Sequence, residues 1–113
     1  METKPEMIIA RRRYFSASDH DSVVVDLEVH IPIKSAHAAD EFACSFRING
    51  AGIEHSSVVY GIDELQALQL ALADAQAKLQ HLSVANEFAL RWIGDETGDL
   101  GIRIPRFDYP VND

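Results

Sequence analysis

The chain offers few residues with chemical scope: five histidines, one cysteine, a run of three arginines and two small acidic groups. His20, His30, His37, His55 and His81 form no H-x-H pair, no H-E-x-x-H helix and no cysteine-assisted zinc set. His30 and His55 fall in different strand-like segments and could approach across a sheet, but surface histidines are the simpler reading. Cys44 lies in phase with Phe42, Phe46 and Ile48, which puts its thiol on an apolar face, where a thiol is inert. In Asp19-His20-Asp21 two carboxylates would favour a charged imidazole, yet adjacent residues of a polar loop seldom form an organised site. Asp95, Glu96 and Asp99 lack the D-x-D-x-D-G spacing and the distal glutamate of a Ca²⁺ loop, and read as a solvated turn. No catalytic residue, metal or cofactor is therefore expected.

Arg11-Arg12-Arg13 is the one dense basic cluster. On a strand, Arg11 and Arg13 share a face and Arg12 takes the other. Arg11 and Arg13 could clamp an anion, because guanidinium matches carboxylate and phosphate geometry. Pairing with Asp26 or Glu28 on a neighbouring strand is the favoured alternative. Aromatic residues for base stacking are missing apart from Tyr14 and Phe15.

These residues need elements to hold them. Residues 7–15 read as a first strand after a polar lead-in, 1–6. Between 22 and 34, Val23, Val25, Leu27, Val29, Ile31 and Ile33 alternate with Asp26, Glu28, His30 and other polar residues, as in a strand with one buried face. Pro32 has no N–H and points to an edge or a bend. Phe42, Cys44, Phe46 and Ile48 give a third strand, Asn49-Gly50 a hairpin turn and residues 53–60 a fourth strand. Asp63 is a natural N-cap with Gln66 as its partner. Leu65, Leu68, Leu72, Ala75, Leu79 and Leu82 then form a stripe over about five helical turns. Residues 88–93 and 100–104 suggest two last strands, before a loose tail, 106–113. The order ββββ-α-ββ predicts an α+β two-layer sandwich: an antiparallel sheet of four to six strands on one long amphipathic helix.

At 113 residues the chain fits a single domain. Its net charge of −8 makes nucleic acid and anionic membranes poor partners and a basic protein a better one. One cysteine allows no internal disulfide, and neither a signal peptide nor a spanning segment is visible, so the cytoplasm is the default location.

Gly61 to Leu72 resembles the helix start in a group of small uncharacterised bacterial proteins, a domain of unknown function. Leu90-Arg91-Trp92 with Gly98-Asp99-Leu100-Gly101 resembles the ending of the same group. The resemblance implies no activity and brings no catalytic residues.

A non-enzymatic protein-binding module is the leading expectation, with an immunity or antitoxin-like role towards a basic partner as one form. Its surface would include Asp26, Glu28, Asp95, Glu96 and Asp99. The alternative is a small-molecule binder or enzyme with a site between sheet and helix or at a dimer interface, using Arg11, Arg13, His30 and Trp92. A homodimer is compatible with each.

Overall fold

The computed structural model describes residues 7–16, 24–85, 90–91 and 100–102. They form strands β1 (Ile8–Ser16), β2 (Val24–His30), β3 (Ile33–Lys34), β4 (Phe42–Gly50) and β5 (Ile53–Gly61), helix α1 (Glu64–Ala85) and strand β6 (Leu90–Arg91). The expected α+β arrangement is present: one antiparallel sheet with one long helix against it. β5 runs along one edge of β4, and β2 followed by β3 along the other; β1 then pairs β2, and β6 pairs β1. The single strand expected over 22–34 is interrupted at Pro32, as a residue without an N–H dictates, and resumes on the same neighbour as β3.

Two registers define the faces. Arg12 stands opposite Leu27 and Tyr14 opposite Val25, while Leu27 stands opposite Ile48 and Val29 opposite Phe46. These residues share the helix side, where Tyr14, Val25, Leu27, Val29, Cys44, Phe46 and Ile48 are buried. Arg11, Arg13, Asp26, Glu28, His30, Ser45 and Arg47 take the outer side.

The hairpin turn is not at Asn49-Gly50. Gly50 still pairs with Ile53, and the two turn residues are Ala51 and Gly52, both at positive φ (51° and 79°). That is the paired positive φ of a tight hairpin. It extends the ladder to the full length of β4 and brings Gly61 opposite Phe42.

The helix turns its expected stripe to the core except at Leu65, with alanines at the centre of the contact. Its buried residues are Ala67, Ala71, Ala75 and Leu79, with Leu68, Leu72 and Leu82 partly buried against the core, whereas Leu65 is 63% exposed. Small side chains let the helix axis sit close over β4 and β5. The closest approach is at Gly61, where a Cβ would stand 2.5 Å from the backbone N of Ala67.

Residues 100–102 are not a strand. They lie beside β1, where the buried Tyr14 hydroxyl donates to the Leu100 carbonyl (2.6 Å) and Arg12 Nη1 donates to the Gly101 carbonyl (2.6 Å). Of the strand predicted over 88–93, residues 90–91 are seen as β6; residues 88–89, 92–93, 103–104 and both tails lie outside the described residues. Tyr14→Phe keeps the ring and strips the Leu100 carbonyl of this donor. It is expected to cost about 1–2 kcal/mol in urea unfolding; no loss would mean that the contact does not hold this segment. Among the described residues, no helix is long and apolar enough to cross a membrane.

Candidate functional site

The outer sheet face carries most of the residues that the sequence singled out. Arg13 Nε and Nη2 donate to the two carboxylate oxygens of Asp26 at 2.9 and 3.2 Å. This hydrogen bond, with the carboxylate's charge, raises the Arg13 pKa above its already high ordinary value, so the guanidinium stays charged. Arg11 stands opposite Glu28, Glu28 opposite Arg47, and Arg47 Nη2 reaches Glu54 at 3.5 Å. For Arg13, pairing within the sheet is therefore what the structure shows, rather than an anion clamp. Three arginines face three carboxylates, and Asp26 is no longer a bare acid for a basic partner to reach.

His30 shares this face, but the shallow groove beside it is lined by Ser45, Ser56 and Val58 and includes neither Arg11 nor Arg13. His55 is on the opposite, helix side, opposite Ile48 and 6.1 Å from the Phe46 ring, so the two histidines do not meet. Cys44 is buried and its Sγ donates to the His30 carbonyl (3.3 Å), an inert placement. Among the described residues no three His, Cys, Asp or Glu side chains are grouped to hold a metal. Trp92, Asp95, Glu96 and Asp99, like Asp19-His20-Asp21, lie outside the described residues.

A second region was not singled out from the sequence. At the start of α1 the Gln66 N–H donates to Asp63 Oδ1 (2.7 Å), and Gln66 Oε1 accepts from the Ile62 N–H (2.8 Å). This is the expected cap, with the glutamine reaching one residue further back than in the usual reciprocal box. The cap fixes the turn between β5 and α1. It leaves Ile62 74%, Leu65 63% and Tyr60 43% exposed. Tyr60, Ile62 and Gln66 line an open groove with Ala38, Asp40 and Glu41 from the β3–β4 loop, with a volume of about 380 Å³. Asp40, Asp63 and Glu64 are exposed, Glu41 is partly so, and among the described residues none of the four is in an ion pair. The signal was present as two adjacent acidic pairs, Asp40-Glu41 just before β4 and Asp63-Glu64 just after β5, with Tyr60 and Ile62 on either side of Gly61.

A third feature is a pocket of about 170 Å³ between sheet and helix, lined by Arg11, Arg12, Tyr14, Leu27, Leu72 and Ile102 among others, so that of the expected ligand contacts Arg11 borders it and Arg13 and His30 do not. It is well below the ~300 Å³ at which small-molecule sites begin.

A family model described as a domain of unknown function, DUF6968, matches residues 10–104. No curated protein and no solved structure matches the chain.

Proposed function

Since the chain belongs to the DUF6968 family, whose description names no activity, we propose from its surface that it is a non-enzymatic binding module for a basic protein. The supporting observation is the groove at the start of α1. Exposed Tyr60 and Ile62 line it with Asp40 and Glu41, and Asp63, Glu64 and the exposed Leu65 follow in the chain. Four carboxylates that no cation among the described residues pairs thus belong to its lining or to the adjoining helix start. A segment with an apolar side chain flanked by Lys or Arg fits this combination. The apolar anchor supplies burial, and the acids steer the approach and select the charge. Immunity or antitoxin-like neutralisation of a basic protein is one form of this activity. The small-molecule alternative is weakened by the size of the cavity between sheet and helix and by the separation of Arg11 and Arg13 from the groove beside His30.

The test is a pull-down with the tagged full chain at low and high salt, run beside Ile62→Asp and Glu64→Lys. The expected result is a stoichiometric basic polypeptide, captured by the wild-type chain at low salt and lost at high salt and in both variants. A partner retained by both variants, or no partner at either salt, would overturn the assignment.

A further inference from the structure

A chain with net charge −8 repels its own copies over most of its surface. The outer sheet face is an exception. Over β1, β2, β4 and β5 its charged residues are Arg11, Arg13 and Arg47 against Asp26, Glu28 and Glu54, which sum to zero. The face is also free of the helix, which packs on the other side. Next to the charges lie Ile8, the bulged Ile9, His30, Ser45 and Val58; Ile9 and Val58 are 45% and 44% exposed.

The registers arrange these residues in rows across the sheet. One row reads Arg13, Asp26, Asn49, Glu54; the next reads Arg11, Glu28, Arg47, Ser56. Take a two-fold axis parallel to the strands, above the boundary of β2 and β4. It lays β1 of one copy over β5 of the other and β2 over β4, keeping each row in place. Arg13 then faces the partner's Glu54, Glu28 faces the partner's Arg47, and His30 faces the partner's Ser45. The bulge at Ile8 and Ile9 faces the partner's Val58. Each opposite-charge contact occurs twice, and no like charges are brought together. Four strands at ~4.8 Å and about seven residues at ~3.4 Å make a patch of roughly 19 by 24 Å. With side chains standing on it, such a patch exposes an area of the order of the ~800 Å² that each partner buries in a stable interface.

We propose that this outer face is a self-association surface, on which two copies of the chain pack sheet to sheet about a two-fold axis. Tyr60 lies on the same face one row beyond Val58, so the self-association surface borders the acidic groove, whose Ile62, Asp63 and Glu64 lie past the end of β5. Arg13 and Glu54 lie on opposite margins of one sheet, so their contact exists only between copies.

The test uses the full chain and charge reversal at that contact, read by sedimentation equilibrium, with circular dichroism to establish folding. Wild type is expected to be a dimer. Arg13→Glu sets two glutamates against each other, and Glu54→Arg sets two arginines. Each variant alone is expected to dissociate at least tenfold more readily than wild type. An equimolar mixture of the two is expected to regain the dimer. In the mixed dimer the introduced glutamate meets the introduced arginine at one contact, and the native Arg13 and Glu54 meet at the other. A wild-type monomer, a dimer that ignores both reversals, or a mixture of folded variants that stays monomeric would each overturn the proposal.

Discussion

Gly61→Ala is expected to lower the stability of the fold by about 2 kcal/mol, from the balance of two known effects. A Cβ at this position would lie 2.5 Å from the Ala67 nitrogen, 2.9 Å from its Cα and 3.0 Å from the Gln66 carbonyl carbon. All three are backbone atoms of the first helical turn, so no side chain can swing aside. Relief requires α1 to lift from β5, which also loosens Ala71 and Ala75 below it. Overpacking of this kind costs up to ~3 kcal/mol, while the loss of glycine's freedom in the unfolded chain returns at most ~1 kcal/mol. Gly52→Ala is the informative control. Nothing lies within 4 Å of its Cβ position, but its φ of +79° is strained for alanine; the cost there is about 1 kcal/mol. Urea unfolding of the two variants separates the causes. A Gly61→Ala chain as stable as wild type would mean that the helix is not seated this closely on the sheet.

The same close approach explains which parts of the fold were legible in the sequence. Alternation in residues 24–30 and 42–48 identified buried faces correctly, since Val25, Leu27, Val29, Cys44, Phe46 and Ile48 are all buried. A half-buried strand leaves a period of two that hydrophobicity alone reveals. The helix was legible as a helix, with its cap at Asp63 and most of its core-facing stripe, but not in the part that Ala67 and Ala71 take at its centre. Hydrophobicity ranks leucine above alanine, whereas the sheet selects for small side chains wherever backbones meet, so Leu65 ends exposed and Ala67 buried. The hairpin was misplaced for a similar reason. Asn49-Gly50 has the better turn chemistry, but the longer ladder wins and draws the turn to Ala51-Gly52. For the candidate site, composition showed that the chain was acidic but not where the acid was unneutralised. That depends on which strand neighbours Arg13 and Arg47, and register is a tertiary property. Ser57 shows the same limit: its hydroxyl bonds Asp74 of α1 at 3.2 Å, a pairing no local pattern announces.

Phe46→Ala is expected to have the largest effect, a loss of about 3 kcal/mol within the 3–5 kcal/mol usual for such truncations. Phe46 is fully buried in the middle of the sheet, opposite Val29 on one side and Ser57 on the other, and it belongs to the same core cluster as the alanines of α1. The rigid ladder on both sides of β4 prevents the strands from closing over the missing ring, which argues for a full cavity cost. One neighbour argues for the lower end of the range. His55 packs its ring 6.1 Å from that of Phe46, and its Nε2 is buried with no hydrogen-bond partner among the described residues. A cavity with a polar atom in its wall can admit a water that an all-aliphatic cavity excludes, and the new hydrogen bond offsets part of the loss. Phe46→Ala combined with His55→Phe tests this directly, because the second change removes the polar atom and fills its place. If the water forms, the double variant loses more than the sum of the two single changes in urea unfolding. Additive losses would show that the cavity stays dry and that His55 does nothing to soften it.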